Sequence, residues 1–368
     1  MSDAGLFDPL VDAILRATRD DPARVVLGTA ALALVVSLDG DGSTTYMITV
    51  AALLPVYRRL RLDPLLLTVL PMMALGVTNI TPWGGPTTRA ASALQLDPGT
   101  LFVPMVVPML VAAAWVLALA WRLGLRERAR LARLPASDMV RDTTPPDDGL
   151  VAGTAATRRP RLRPLNAALT AALLVALVTG IMPLPVLFMI AFAIALLLNY
   201  PSPAEQKARI AAHAPNVLAV SGLIFAAGAF TGILAGTRMV DAMAEAVVQA
   251  IPPALGPHLA IVTAVVSIPF TFFISNDAFY FGVLPILAKA GAVYGLSAAE
   301  IGRASLVGQP VHLLSPLVPS TYLLVGLVGV ELGEHQKRAL GWSLVTALVL
   351  LVAAVVVGVI PAAGRVAG

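Results

Sequence analysis

The sequence predicts an all-α polytopic membrane protein, and three observations support this. Hydrophobic residues make up 58% of the 368 residues and charged residues only 12%, and the mean hydropathy is +0.85, more apolar than soluble globular proteins. The apolar runs are long and rich in Leu, Ala and Val, without the alternation of an outer-membrane barrel. In each half of the chain, two short apolar runs flank a charged segment. We therefore expect a multi-pass helical protein of the cell inner (plasma) membrane.

Charge and cysteine content narrow the possible functions. The formal net charge of +4 comes with clustered arginines, which are typical of cytoplasmic segments flanking membrane spans rather than of nucleic-acid binding. The chain contains no cysteine, which excludes disulfides and thiolate-bound metals.

The first polar segment is residues 37–45 (SLDGDGSTT). It lies between apolar runs at 27–36 and 46–56, and we expect each run to be too short for a span of about 20 residues. This spacing predicts a re-entrant hairpin with a polar tip, and ionisable groups at membrane depth usually serve function. The tip is our first candidate for a cation or substrate site; the alternative is a solvated interfacial loop.

A second polar segment, residues 78–89 (TNITPWGGPTTR), interrupts the next apolar run with two prolines and two adjacent glycines. Proline cannot continue the helical hydrogen-bond ladder, so this pattern predicts a discontinuous transmembrane helix.

The second half of the chain repeats this order. Residues 275–277 (SND) separate apolar runs at 259–274 and 278–288, and residues 315–321 (SPLVPST) interrupt a later helix. The tip aspartate and the proline of the break are about 40 residues apart in both halves, Asp41 to Pro82 and Asp277 to Pro316. The arginines place the two copies in opposite orientations, which predicts inverted repeats whose tips and breaks meet near the bilayer midplane.

We divide the chain into a first inverted repeat at 1–123, a disordered cytoplasmic linker at 124–163 rich in Arg, Pro and Asp, and a second repeat at 164–368. Amphipathic interface helices are predicted at 5–18 and 237–251. Three spans precede the second of these helices, but none precedes the first. We therefore expect the first repeat to be incomplete and to lack N-terminal scaffold helices, through either a misplaced start codon or a real truncation.

Four sequence motifs closely resemble the CitMHS family of citrate transporters, within the ion transporter superfamily. They are residues 38–45 (LDGDGSTT), 82–87 (PWGGPT), 275–282 (SNDAFYFG) and 308–319 (GQPVHLLSPLVP). The resemblance implies the inverted-repeat fold and uptake of citrate as a complex with a divalent metal ion, of the Mg²⁺ or Ca²⁺ class, in symport with protons. It also implies no tightly bound cofactor and no nucleic-acid partner. Whether the protein forms a homodimer is left open.

For such a substrate, oxygen ligands suit the metal and hydrogen-bond donors suit the carboxylates. The candidate metal ligands are Asp39, Asp41, Asn79, Asn276 and Asp277. The candidate substrate-binding residues are Ser43, Thr44, Thr45, Thr87, Thr88, Arg89, Gln309, Ser315, Ser320 and Thr321. Arg89 has two alternatives to a substrate contact, which are a pair with an aspartate and a position at the membrane interface.

Proton coupling requires a group that changes charge. His312 is the histidine that we place inside a span, whereas we place His213, His258 and His335 in loops, so His312 is the candidate proton carrier. The alternative carriers are Asp39, Asp41 and Asp277. Alternatives to a carrier remain open for the whole chain: an intramembrane aspartyl enzyme, a channel, and an inactive, truncated transporter relic.

Overall fold

The computed structural model of the protein describes residues 8–18, 21–133, 159–179, 181–182, 184–252 and 254–364. Every regular element within these ranges is helical, so the predicted all-α fold is confirmed. Four of the described helical segments are long and apolar enough to cross a membrane: Pro22–Asp39, Pro98–Leu131, Gly256–Phe273 and Leu332–Val356. The protein is therefore built as a multi-pass membrane protein.

The described part of the first half contains six α-helices. They are α1 (Asp8–Thr18), α2 (Pro22–Val36), α3 (Gly42–Leu60), α4 (Pro64–Thr78), α5 (Gly85–Leu94) and α6 (Pro98–Leu131), with a 3₁₀ turn at Ser37–Asp39. The described part of the second half contains α7 (Arg163–Thr179), α8 (Leu184–Asn199), α9 (Pro203–Gly236), α10 (Met239–Ala250), α11 (Leu259–Phe273), α12 (Leu284–Val293), α13 (Ala298–Ser305), α14 (Gln309–His312), α15 (Pro319–Val328) and α16 (Leu332–Val356). A π-helical turn, Ala278–Val283, precedes α12.

Aspartate side chains begin most helices of the first half. Asp21, Asp41, Asp63 and Asp97 cap α2, α3, α4 and α6, each accepting a hydrogen bond from a backbone N–H of the first turn. These bonds satisfy amide groups that have no partner within the helix. Because Asp21 caps α2 and Pro22 begins it, α2 starts earlier than residue 27, and with the 3₁₀ turn it reaches span length. Our expectation that this run is too short was therefore wrong.

Both predicted interruptions exist in the structure. α4 ends at Thr78 and α5 begins at Gly85, while α14 ends at His312 and α15 begins at Pro319. At the first interruption the chain folds so tightly that a Cβ on Gly84 would lie 1.8 Å from the carbonyl oxygen of Asn79, so only glycine fits there. The re-entrant path of the two hairpins through the bilayer stays a prediction.

The two halves interlock through the core. α4 of the first half packs against α14, α15 and α16 of the second half, and α6 packs against α13 and α16. The backbones approach closely at Gly76, where a Cβ would lie 2.7 Å from the Cα of Pro310. The interrupted helices of both repeats therefore lie against each other.

Two predicted loop regions are helical. α6 continues to Leu131, past the boundary we set at residue 124, and an ion pair between Glu127 and Arg130 stabilises its last turns. Residues 134–158 of the predicted linker lie outside the described residues. His213, which we predict in a loop, lies in α9 together with its charged neighbours Lys207 and Arg209. In both regions we predicted a loop because charged residues are frequent, but the sequences also contain residues that favour helices.

Our prediction that His335 lies in a loop was also wrong. It lies in α16, fully buried, and its Nδ1 is 2.9 Å from the hydroxyl of Thr68 on α4. Charged neighbours, Glu334 and Lys337, led us to predict a loop. The helix turns those residues outward and the imidazole inward, against the first half of the molecule.

Candidate functional site

Four non-helical or irregular segments meet at the contact between the two halves. We call them tip 1 (residues 37–45), break 1 (residues 79–84), tip 2 (residues 274–277) and break 2 (residues 313–318). The sequence predicted that these segments converge, and the following contacts describe how they do so.

Tip 1 is a tight turn held against break 1. The 3₁₀ turn ends at Gly40, whose φ of 82° is in the left-handed region. The indole N–H of Trp83 donates a hydrogen bond of 2.8 Å to the carbonyl oxygen of Leu38. The ring covers Gly40 so closely that a Cβ there would lie 2.9 Å from Trp83 Cδ1. Trp83 therefore fixes the backbone conformation of tip 1.

The carboxylate of Asp41 caps α3. One of its oxygens, Oδ2, accepts a hydrogen bond of 2.8 Å from the backbone N–H of Thr44 and one of 2.6 Å from the Thr44 hydroxyl. The Thr45 hydroxyl donates to the Asp41 carbonyl oxygen. Asp39 and Asp41 are both exposed, while Ser43 is half-buried. Two predicted substrate ligands, Thr44 and Thr45, thus already form hydrogen bonds within tip 1.

Tip 1 also contacts the second half of the chain. α3 packs against α15, and a Cβ on Gly42 would lie 3.0 Å from the hydroxyl oxygen of Ser320. The first turn of α15 therefore lies beside the first turn of α3. Exposed N–H groups at two adjacent helix starts favour an anionic group placed between them.

An amide cluster joins break 1 to tip 2. Gln309 is fully buried and its Oε1 accepts long hydrogen bonds, of 3.3 and 3.5 Å, from the side-chain amides of Asn79 and Asn276. Its Nε2 donates to Asn276 Oδ1 and to the hydroxyl of Tyr280, at 3.3 and 2.9 Å. The side-chain oxygen of Asn79 is buried and has no partner in the described part of the chain. It is therefore an acceptor that a cation or a donor could use.

A short ion pair also joins the two halves. Arg89 Nε on α5 lies 2.5 Å from Asp277 Oδ1 at tip 2, and Arg89 Nη1 donates to the carbonyl oxygen of Gly85. The side chains are 21% and 38% exposed, respectively. Of the alternatives left open by the sequence, the pair with an aspartate is the one observed.

The remaining predicted hydroxyl ligands support the breaks. Thr87 donates to the carbonyl oxygen of Ile80, and Thr321 donates to that of Leu313, so each hydroxyl bridges its own break at 2.7 and 2.6 Å. Thr88 donates to the carbonyl oxygens of Gly84 and Gly85, and Ser315 accepts from the N–H of Leu317. These hydrogen bonds stabilise the turns, and each hydroxyl oxygen retains acceptor capacity.

His312 ends α14 at break 2 and is buried. Its Nδ1 lies 2.6 Å from the carbonyl oxygen of Thr271, and because a carbonyl only accepts, Nδ1 carries the proton. The charges of Arg89 and Asp277 both act on the ring. His312 thus lies buried at break 2 with its proton on Nδ1, and its role as proton carrier stays a prediction.

The candidate metal ligands do not all meet. Asn79 and Asn276 lie in the amide cluster and Asp277 adjoins it, while Asp39 and Asp41 lie on tip 1. Among the described residues, no group of three or more Asp, Glu, His or Cys side chains is arranged to hold a metal ion. The three aspartates therefore do not form one cluster in this conformation.

Sequence reasoning missed Tyr280 and the role of Trp83. Tyr280 is fully buried, and its hydroxyl accepts from Gln309 and donates to the Ser305 carbonyl oxygen. Its position one helical turn after Asn276 was a signal that it faces the same site.

Comparison with known proteins identifies the family. Residues 1–308 match the family model CitMHS, described as citrate transporter. The chain is 54% identical over 360 residues to the "Citrate transporter" of Bacillus subtilis (strain 168), covering 98% of this chain and 83% of that protein. It is 47% identical over 360 residues to the "Mg(2+)/citrate complex secondary transporter" of the same organism, covering 98% and 82%.

A solved structure shows the same fold at low sequence identity. The crystal structure of the Alcanivorax borkumensis YdaH transporter superposes with a TM-score of 0.60 and 14% identity, covering 98% of this chain and 87% of that one. The family match and the named relatives favour transport over an intramembrane aspartyl enzyme. Sequence motifs, fold and relatives agree, and this chain belongs to the CitMHS family of citrate transporters.

Proposed function

We propose that the protein imports citrate as a complex with a divalent metal ion of the Mg²⁺ or Ca²⁺ class, in symport with protons. The observation that carries this proposal is the ion pair between Arg89 and Asp277 where the two halves meet, because it supplies one group for a carboxylate and one for a metal. The name of one relative, a Mg(2+)/citrate complex transporter, supports the same substrate.

The separation of the aspartates bears on how the metal is bound. Citrate itself supplies oxygen ligands to the metal, so the protein needs to add only a few. We propose that Asp277, Asn276 and Asn79 supply them from one side, and that Asp39 and Asp41 supply them from tip 1. The hydroxyls of Ser43 and Ser320, beside two helix starts, are proposed to bind the free carboxylates of citrate. Assembly into a homodimer stays a prediction.

The test is uptake of labelled citrate by proteoliposomes containing the purified protein, with Mg²⁺, with Ca²⁺, and with EDTA. We expect accumulation that requires a divalent metal and is driven by an inward proton gradient. Accumulation independent of metal would contradict the proposed substrate, and accumulation independent of the gradient would contradict proton symport. No uptake in any condition would favour the inactive relic.

Asp41→Asn tests the role of tip 1 in this assay. Asparagine caps a helix as well as aspartate does, so insertion and folding are expected to persist. Loss of the anionic oxygen should lower metal-dependent uptake by about tenfold or more. The matched control is Asp97→Asn, which changes the same kind of capping residue at the start of α6. Unchanged uptake in Asp41→Asn would refute the role.

His312→Gln tests the proton carrier. The glutamine amide retains a donor for the Thr271 carbonyl oxygen but does not titrate. We expect uptake driven by a proton gradient to be lost, while exchange of internal for external citrate continues. His258→Gln is the control, because His258 also contacts a backbone carbonyl oxygen but lies exposed at the start of α11. If His312→Gln still uses the gradient, one of the aspartates is the carrier.

A further inference from the structure

The ion pair between Arg89 and Asp277 leaves hydrogen-bonding atoms of both side chains without a partner among the described residues. Arg89 employs two of its five N–H donors, on Asp277 and on the Gly85 carbonyl oxygen. Asp277 employs Oδ1, and Oδ2 has no partner among the described residues. Both side chains are partly exposed, so a solute that reaches the site can contact either of them.

The pair is largely isolated from other charges among the described residues. On α13, which packs against α5, Glu300 bonds to Ser297 and Arg303 bonds to the carbonyl oxygens of Val359 and Thr100. Tip 2 and its π-turn pack against α5, α9, α11 and α12. α11 carries no charged residue, and Arg89 is the one charged residue of α5. On α12, Lys289 is already paired with Asp241 of α10, and the titratable residues of α9 (Glu205, Lys207, Arg209 and His213) lie in its first turns. His312 of α14 is the nearby titratable group.

Because of this isolation, each member of the pair compensates the other. If a solute bound to only one of them, the other would be left as an unpaired charge in a partly buried site, which is unfavourable. A free citrate contacting Arg89 would leave Asp277 facing extra negative charge. A free dication contacting Asp277 would likewise leave Arg89 facing extra positive charge.

We propose that the pair makes binding conditional on the whole complex: a carboxylate of citrate replaces Asp277 on Arg89 while the metal replaces Arg89 on Asp277. This inference rests on the proposed function and adds the reason why the substrate is the complex rather than either component. In the exchange, two favourable charge contacts replace one, and neither side chain is left without a counter-charge. Arg89 and Asp277 are then the residues that determine specificity for the complex.

The experiment measures equilibrium binding to the purified full chain in detergent, with labelled citrate in Mg²⁺ or in EDTA, and with manganese(II) alone followed by electron paramagnetic resonance. For the unmodified chain, we expect citrate binding in Mg²⁺ and little binding of either component alone. Asp277→Asn frees Arg89, so citrate binding in EDTA should strengthen by about tenfold, a typical coupling between two groups.

Arg89→Gln should have the reciprocal effect. It frees Asp277, and manganese(II) binding without citrate should strengthen by about tenfold. Asp277→Glu and Arg89→Lys retain the charges and are expected to retain the requirement for both components. Size-exclusion profiles and thermal unfolding show that each variant is folded. Asp97→Asn is the control, because it removes a negative charge outside the site.

Two outcomes separate this inference from the proposed function. If the unmodified chain does not bind citrate in Mg²⁺, the proposed function fails and the inference fails with it. If it does bind the complex, but Asp277→Asn and Arg89→Gln both retain the requirement for citrate and metal together, the proposed function stands and the exchange is wrong.

Discussion

Each hairpin tip carries an aspartate close to the start of its helix, Asp41 at tip 1 and Asp277 at tip 2, yet these two carboxylates make different contacts. At tip 1, Asp41 bonds to its own helix, through the N–H and hydroxyl of Thr44. At tip 2, Asp277 bonds to Arg89 of the opposite half of the chain. One carboxylate therefore stabilises a local turn, whereas the other joins the two repeats.

The cause is the position of each aspartate relative to the start of its helix. Asp41 is extended, with φ −104° and ψ 121°, and is the capping residue of α3. Asp277 is already helical, with φ −63° and ψ −47°, and the N–H of Ala278 is taken by the Ser275 hydroxyl instead. Because Ser275 occupies the capping role, the Asp277 side chain is free to contact the opposite half. The position of each aspartate relative to the start of its helix thus decides whether its carboxylate caps that helix or bonds to the other half of the chain.

The backbone geometry of the tips differs in the same sense. Tip 1 depends on a left-handed glycine, Gly40, and on Trp83, both from the first half. Tip 2 leads into a π-helical turn and is held by Gln309 and Arg89. π-Turns are rare and are frequent at functional sites. The hydrogen bond from Trp83 thus holds tip 1 within its own repeat, whereas Asp277 of tip 2 is bonded to Arg89 of the other repeat, a contact that we propose the substrate replaces.

The largest difference between the tips is expected from glycine-to-alanine substitutions. Gly40→Ala places a Cβ at φ 82° and 2.9 Å from Trp83 Cδ1, which should lower the free energy of unfolding by about 2–4 kcal/mol. Gly282→Ala, in the π-turn after tip 2, meets no atom within 4 Å. It should change stability by less than about 1 kcal/mol. Thermal unfolding in detergent, followed by circular dichroism, measures both, and equal destabilisation would contradict the comparison.

Gln309→Met tests the contacts that hold tip 2. Methionine fills the volume but leaves the amides of Asn79 and Asn276 without their buried partner. We expect the free energy of unfolding to fall by about 2–3 kcal/mol, because unpaired buried amides lose their hydrogen bonds without regaining water. Gln95→Met, at the exposed end of α5, is the control for the same change. If the two variants have the same stability, the amide cluster does not hold tip 2.

The features that could be predicted from the sequence are those set by residues close together in the chain. Pro82 with Gly84, and Pro316 with Pro319, interrupt helices through their own backbone chemistry, and both interruptions are present. The partner of Asp277 is 188 residues away along the chain, and no local pattern specifies which of several aspartates Arg89 meets. Thr87 and Thr321 donate their hydroxyls to carbonyl oxygens across the breaks, and their role as substrate ligands stays a prediction.

His335 shows a second limit of sequence reasoning. Helical periodicity would have placed it on the inner face, but its charged neighbours outweighed that signal in our interpretation. Its burial against Thr68 depends on α4, a helix of the other half of the chain. The predicted boundary at residue 124 failed in a related way, because a contact between Arg130 and the carbonyl oxygen of Arg61 supports the end of α6 from another helix.

Trp83→Phe is expected to have a smaller effect than Gly40→Ala or Gln309→Met. Phenylalanine retains a ring that can pack against Gly40 and Phe188 but removes the donor to the Leu38 carbonyl oxygen. The loss of one partly buried hydrogen bond should cost about 1 kcal/mol. Hydrogen exchange of the tip 1 amides should rise, while exchange at tip 2 should stay constant. Equal acceleration at both tips would show that the tips are not held independently.

The smallest effects are expected at two helix caps: Asp21 of α2, which has a cation partner, and Asp41 of α3. The hydrogen bond from Arg128 is the main reason why the pKa of Asp21 lies below its usual value of 3.8. A lowered folded-state pKa stabilises the protein above the unfolded-state pKa, and this contribution is lost as the pH falls through the folded-state value.

Asp21→Asn retains the cap but removes the ion pair, so it should cost less than about 1 kcal/mol at pH 7 and low salt, since the pair is partly exposed and screened. The difference between the two proteins should shrink as the pH falls below 4 and as salt is added. Asp41→Asn should cost less than about 0.5 kcal/mol at pH 7, because Asp41 has no cation partner among the described residues. Chemical unfolding at several pH values and salt concentrations measures the stability of the unmodified chain, Asp21→Asn and Asp41→Asn. If the loss in Asp21→Asn does not depend on salt, the variant disturbs the cap rather than the pairing with Arg128.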